Sequence, residues 1–150
     1  MEQVKGVTTM DKYSEVEKLL YNYKMLKISI DNMEQDIKHI DRENGLKGIG
    51  FDSISTSPTN LTSDMVSDIA ISKIGRMEFL ANRIKDNKRK VQSVDKAMEG
   101  LEDVERTIIV ERYIHARQWW KVASIVKYGE RHCKRIRTEA IKKMVVGIYG

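Results

Sequence analysis

Basic side chains recur between residues 130 and 143, at spacings that suit one side of a helix. Arg131 and Arg135 are four residues apart, so a helix would point both side chains the same way. An arginine guanidinium can donate two hydrogen bonds to a guanine edge, whereas lysine and arginine neutralise backbone phosphates. We therefore predict that Arg131 and Arg135 read the bases of double-stranded DNA. Phosphate contacts are predicted for five other cationic residues: Lys121, Lys134, Arg137, Lys142 and Lys143.

The placement of charge along the chain supports a nucleic-acid partner. Residues 1–100 carry 16 Lys and Arg against 16 Asp and Glu, and residues 101–150 carry 11 against 6. The net charge of +5 therefore lies entirely in the last third of the 150-residue chain. A basic end on a neutral support favours binding to a polyanion.

Three short helices are predicted to position these residues. Apolar residues recur at steps of three and four before and after a tight turn at 127–129, and again over 101–113. The three sets are Trp119, Val122, Ala123 and Val126, then Cys133, Ile136, Ala140, Ile141 and Met144, and upstream Leu101, Val104, Ile108, Ile109 and Tyr113. The pattern predicts a trihelical unit with a helix-turn-helix, whose last helix enters a DNA major groove.

Two longer segments with a heptad pattern precede this unit, over 11–44 and 62–100. The first seam is Val16, Leu19, Tyr23, Leu26, Ile30, Met33, Ile37 and Ile40. The second is Val66, Ala70, Met77, Leu80, Ile84, Val91, Val94 and Met98, with Lys73 and Asn87 at the two positions between. Thr62 is the expected N-cap of the second helix. A loop at 45–61, rich in Gly, Ser and Thr, joins the two segments.

These features predict an all-α chain with two parts, a helical oligomerisation region at 11–100 and a DNA-binding domain at 101–150. The long helices can fold back as an antiparallel hairpin or pair with another chain as a coiled coil, and both options stay open. Because two long apolar stripes exceed what one hairpin need cover, we expect a homo-oligomer.

Other kinds of site are not expected. The chain lacks a Gly-rich phosphate loop and any catalytic constellation, so we predict neither enzyme activity nor a cofactor. Its one cysteine and three histidines lack metal-ligand spacing, and Cys133 fits the core. No apolar run is long enough for a membrane span and the N-terminus has no signal core, which together predict a cytoplasmic protein. Trp119 keeps the buried spacing. Its neighbour Trp120 must then be partly exposed, against DNA, RNA polymerase or a subunit, or packed on the preceding helix.

The run LEDVERTIIVERYIHARQWWKVASIVKYGERHCKRIRTEAIKKM resembles region 4 of sigma-70-type factors. The likeness rests on ER and RY in the first helix, WxxVAxxV in the second and ERxxKRIxxxAIKKM in the third. The whole chain is similar to phage late-gene transcription regulators of the RinA/ArpU type, well over 60–150 and only in character over 11–44. By position, the resemblance assigns base contacts to Glu130, Arg131, Lys134 and Arg135. Three further residues complete the predicted DNA contacts: Gln118, Tyr128 and His132.

The resemblance implies a sequence-specific transcription regulator, an activator of phage or mobile-element late genes in the cytoplasm of a bacterial host. Host RNA polymerase is a candidate partner. A small terminase subunit that recognises viral DNA for packaging is the alternative, because such subunits also join a helix-turn-helix to oligomerising helices. A coiled-coil scaffold with an incidental basic end is a third, weaker hypothesis.

Overall fold

A computed structural model describes residues 9–46 and 63–150, and these ranges contain helices and no strand. The helices are α1 (Thr9–Leu46), α2 (Ser63–Glu99), α3 (Asp103–Ile109), α4 (Trp119–Val126) and α5 (Glu130–Tyr149). A π-helical segment, Val110–Ile114, continues α3. The predicted all-α class is confirmed for the described residues. α1 contains the predicted segment 11–44, and α2 nearly coincides with the predicted segment 62–100. The loop predicted at 45–61 lies outside the described residues beyond the end of α1, as do its neighbour Thr62 and the side chain of Val66.

The described residues form two compact units. One contains residues 9–27 and 89–150, and the other contains residues 28–46 and 63–88. The domain boundary predicted at residue 100 stays a prediction, but the core of the first unit draws residues from both sides of it.

The first unit has two apolar clusters. The larger joins α1, α2, α3, the π-helical segment and α5 through Val16, Leu20, Val94, Ala97, Leu101, Ile109, Tyr113, Ala140, Ile141 and Met144. The smaller holds α3, α4 and α5 together around Ile108, Val122 and Cys133. Three residues differ from the heptad and helical patterns: Leu20 and Ala97, off the predicted seams, are buried, and Val104 is 36% exposed.

Three tyrosine hydroxyls fasten α1 to the rest of the first unit. Tyr113 donates to Glu17 at 2.5 Å, Tyr23 to Asp95 at 2.6 Å, and Tyr149 to Glu15 at 2.8 Å. Burial, reinforced by the hydrogen bond to Asp95, raises the pKa of Tyr23 to about 12. These hydrogen bonds hold the N-terminal part of α1 in place within the first unit, which also contains the basic helix α5.

The second unit is built from the remaining parts of α1 and α2. Ile30, Ile40 and Ile84 are buried there, as the heptad seams predict, while Ala70 is exposed. Asn87 Nδ2 lies 3.4 Å from Ser29 Oγ, and Lys88 pairs with Glu34 at 2.6 Å. Four large apolar side chains of α2 are exposed in this unit: Ile69, Ile71, Ile74 and Phe79. Within the described ranges, no helix is long and apolar enough to cross a membrane.

Candidate nucleic-acid interface

A tight turn between α4 and α5 sets the direction of the basic helix. Lys127 takes the left-handed conformation at φ 59°, and its backbone N–H bonds to Ala123 O, which also accepts the N–H of Tyr128 at 3.2 Å. Gly129 then caps α5 with an extended backbone, and its carbonyl accepts the N–H groups of His132 and Cys133 at 3.0 Å. The left-handed residue of the turn is therefore Lys127, while the glycine begins the next helix.

The smaller apolar cluster fixes which side of α5 faces outward. Cys133 is fully buried beside Val122, and burial raises the pKa of its thiol, which fits the predicted core role. With about 3.6 residues per turn, the opposite side of the helix carries Arg131, Arg135 and Lys142 in one row. All three are exposed. We refer to Arg131, Arg135 and Lys142 as the outer row.

The cations of α5 differ in whether a carboxylate already neutralises them. Among the described residues, no carboxylate lies within ion-pair distance of Arg131, Lys134 or Arg135. Lys142, by contrast, pairs with Glu139 at 2.9 Å, and Lys143 with Glu105 at 2.6 Å. The uncompensated positive charge thus lies in the first turns of α5, where the resemblance assigns base contacts.

The N-terminal half of α5 borders a groove of about 700 Å³. Its cationic lining residues are Arg131, Lys134, Arg135 and Arg137, with His132 beside them and Glu105 and Glu139 as the acids. Positive lining residues outnumber the acidic ones, so the groove favours anionic ligands. Five of the predicted DNA contacts are brought together here.

The other predicted contacts are not among the residues that line this groove. Gln118 is the N-cap of α4, and Lys121 lies one turn further, with its ammonium 5.9 Å from the ring centre of Trp120. Trp120 is 61% exposed, which meets the expectation for it. Tyr128 stands edge-on to His132, with ring centres 5.0 Å apart. Four exposed residues thus extend the polar and aromatic surface: Gln118, Lys121, Tyr128 and Glu130.

Arg137 differs from the other cations because it is half-buried. Its Nη1 lies 3.7 Å from Glu17 Oε1, and its guanidinium lies 5.7 Å from the ring centre of Trp119. Lys134 and Arg112 also lie near this ring, at 5.7 Å and 5.1 Å. The sequence did not predict that Arg112 lies near Trp119. The two residues belong to different elements, and the chain between them contains Ala116 with a positive φ of 54°.

The support for α5 comes from the start of α3. Glu105 accepts a 2.6 Å hydrogen bond from Lys143 and a 3.0 Å bond from the backbone N–H of Glu102. Burial of Glu105 opposes its ionisation, but these two bonds outweigh that effect and lower its pKa. The sequence missed this carboxylate, since 38 residues separate it from Lys143.

The described residues hold no group of three or more His, Cys, Asp or Glu side chains that could bind a metal ion. The described surface carries cations, hydrogen-bond donors and an exposed aromatic side chain, which are groups that can contact nucleic acids.

A family model described as "Protein of unknown function (DUF722)" matches residues 12–146 of the chain. No curated protein and no solved structure matches the chain.

Proposed function

We propose that this chain, which belongs to the protein family of unknown function DUF722, is a sequence-specific DNA-binding regulator of transcription. We propose further that it activates late genes of a phage or mobile element. The observation that carries the proposal is the exposed positive charge in the first turns of α5. There Arg131 and Arg135 are exposed, point the same way and have no carboxylate partner among the described residues.

In this proposal α4, the turn and α5 act as a helix-turn-helix, with α5 in the major groove. An α-helix with its side chains is about 10–12 Å wide and the major groove is about 12 Å wide, so one helix fills it. Arg131 and Arg135 then face base edges, because recognition helices contact bases near their N-termini. Glu130, beside them, can accept a hydrogen bond from a cytosine amino group.

In the proposed complex, the cations around Arg131 and Arg135 contact DNA phosphates along the major groove. Lys134 has no carboxylate partner among the described residues, and Lys121 is an exposed cation on α4. Lys142 continues the outer row two turns beyond Arg135, and its ion pair with Glu139 is exposed. Exposed pairs contribute about 0–1 kcal/mol, so a phosphate can replace the glutamate at little cost.

The proposal also includes self-association through the second unit. Ile69, Ile71, Ile74 and Phe79 leave α2 in different directions, because successive helical residues turn by about 100°. A single neighbouring helix cannot cover all of them, and a helix that is apolar all round is normally buried. A second copy of the chain can pack against this surface in a symmetric dimer, so that the exposed apolar side chains of both copies become buried. Two copies of α5 would then read two half-sites of one operator.

Footprinting on the phage or mobile-element DNA that encodes the chain tests the proposal. Protection over a promoter, with increased transcription from it by the host RNA polymerase, is the expected result. An Arg131→Ala, Arg135→Ala double variant that keeps its helical circular dichroism should lose the footprint. Protection at a packaging site, with stimulation of a terminase large-subunit ATPase, would instead support the packaging function. Absence of any preferred site would overturn both.

A further inference from the structure

Three cationic side chains gather around one aromatic ring in the first unit. The guanidinium carbon of Arg112 lies 5.1 Å from the ring centre of Trp119, and Lys134 Nζ and the guanidinium carbon of Arg137 lie at 5.7 Å. Each distance falls within the range of a cation–π interaction. The three cations come from two different elements, the π-helical segment and α5. We call Trp119, Arg112, Lys134 and Arg137 the Trp119 cluster.

The charge of the Trp119 cluster is only partly balanced by the described residues. Arg137 has one carboxylate near it, that of Glu17 at 3.7 Å, and the same carboxylate oxygen accepts the hydroxyl of Tyr113 at 2.5 Å. Arg112 donates to the backbone carbonyl of Arg117 at 2.9 Å, which is a neutral acceptor. Within the described ranges, Lys134 has no carboxylate partner. Among the described residues, three positive charges therefore share one nearby carboxylate and one indole ring.

One donor of the cluster is also without an acceptor. The Nε atom of Arg137 is buried and makes no hydrogen bond within the described part of the chain. A buried N–H without a partner is costly, and such groups are rare in folded proteins. A ligand that draws the guanidinium toward itself can relieve this cost by satisfying the donor.

We infer that the Trp119 cluster binds one phosphate group, and that in the DNA complex this is a backbone phosphate. The inference rests on the proposed function for the source of the phosphate, but the chemistry of the site is set by its own residues. A phosphate supplies the missing negative charge and several acceptor oxygens, which the planar donors of two arginines can meet in pairs. The ring of Trp119 attracts all three cations and so helps to hold them near one another. Arg112 belongs to the π-helical segment that continues α3, whereas Lys134 and Arg137 belong to α5. One phosphate bound by all three would therefore hold α3 and α5 against the same DNA strand.

Fluorescence of Trp119 provides the test. The chain has two tryptophans, so a Trp120→Phe background leaves Trp119 as the single reporter. In that background we expect inorganic phosphate and a short random-sequence duplex each to change the Trp119 emission, with phosphate competing against the duplex. Arg112→Gln should raise the apparent Kd for phosphate roughly tenfold, the loss expected for one charge-assisted contact. It should also lower the log–log salt slope on the duplex by about one unit.

Lys96→Gln is the matched control, because Lys96 is an exposed cation in the last turn of α2 and belongs to no part of the cluster. It removes the same charge and should leave both readouts unchanged. Duplex binding without a Trp119 response, and with the same salt slope in Arg112→Gln, overturns the cluster while the proposed function stands. A phosphate response that Arg112→Gln weakens, with no duplex binding, supports the oxyanion site and overturns the proposed function. Equal losses in Arg112→Gln and Lys96→Gln reduce the effect to net charge and overturn the site.

Discussion

Lys143 Nζ donates a 2.6 Å hydrogen bond to Glu105 Oε1, and this contact joins the second half of α5 to the first turn of α3. Glu105 is 8% exposed, so its carboxylate depends on hydrogen bonds from Lys143 and from the backbone N–H of Glu102 rather than on water. The sequence suggested a phosphate contact for Lys143, whereas the fold gives it a buried carboxylate. A phosphate would have to compete with Glu105 for this ammonium, which makes Lys142 the better phosphate ligand of the two.

The pair predicts acid-dependent stability. Because the folded-state pKa of Glu105 is lowered, its contribution is present above the unfolded pKa of about 4.3 and is lost as pH falls through the folded value. Glu105→Gln should destabilise the chain by about 1–2 kcal/mol near neutral pH, since hydrogen bonds to the charged carboxylate are lost. Urea unfolding from about pH 7 to about pH 3 should show this difference shrinking with acid. A difference that is constant with pH would contradict the assignment.

At alkaline pH the tyrosine contacts of α1 become measurable. The pKa of Tyr23 is raised to about 12 by burial and by its bond to Asp95, and that of Tyr149 to about 12 by burial and Glu15. Each neutral phenol therefore contributes stability below the unfolded pKa of about 10, which is lost as pH rises through the folded value. Ultraviolet titration of phenolate should show a late ionisation near pH 12 that is reduced in Tyr23→Phe. If Tyr23→Phe removed an ionisation near pH 10 instead, the buried contact would be refuted.

Gly129 should accept a side chain that improves the start of α5. Its backbone has φ −66° and ψ 148°, which any residue adopts, and a Cβ built there would meet nothing within 4 Å. Gly129→Ser should stabilise the chain by about 0.5–1 kcal/mol, through an N-cap hydrogen bond and a less flexible unfolded state. Gly129→Ala is the matched control, because it changes the unfolded state alike but supplies no cap oxygen. Chemical denaturation should rank Ser above Ala, and the reverse order would contradict the cap.

The long helices could be predicted from the sequence because the spacing of apolar residues directly encodes a buried helical face. The predicted segment 11–44 lies within α1 (Thr9–Leu46), and 62–100 nearly coincides with α2 (Ser63–Glu99). The exception of Leu20 has a tertiary cause. Leu20 belongs to the larger cluster, which also contains residues of α3 and α5, and no heptad seam within α1 can report packing with those elements.

The candidate site was predictable only where it depends on one helix. The shared direction of Arg131 and Arg135 follows from their spacing alone. The pairing of Lys143 with Glu105, and the approach of Arg112 to Trp119, depend on how separate elements pack. The positive φ of Lys127 was also not predictable from its residue type, since the left-handed conformation favours glycine.

Self-association through the second unit gives a further prediction. Light scattering should show wild-type species heavier than the 17.4 kDa chain. Ile74→Asp should shift them toward that mass, because an uncompensated carboxylate cannot enter an apolar contact. Val146→Asp is the control, since Val146 is 67% exposed and belongs to the first unit. A monomeric wild type at high concentration would end the argument for a second copy.

The last prediction separates residues that read DNA sequence from those that only attach the protein. Arg131 and Arg135 begin the outer row near the N-terminus of α5, and Lys142 lies two turns further. In the proposed DNA complex the first two would reach base edges and Lys142 would lie beside the DNA backbone. Arg131→Ala or Arg135→Ala should therefore weaken binding to the specific site by about 1–3 kcal/mol and affect random DNA much less. Lys142→Ala should weaken both DNAs similarly and lower the log–log salt slope by about one unit.

Measuring each variant on specific and random duplexes at several salt concentrations decides between these roles. Lys142→Ala is the better phosphate probe than Lys143→Ala, because loss of the Lys143 side chain also leaves Glu105 without its partner and so disturbs the fold. Lys143→Ala should lower the stability of the chain, and its DNA affinity has to be read beside its unfolding curve. If the two arginine variants lose affinity equally on specific and random duplexes, the outer row binds phosphates throughout and some other surface reads the sequence.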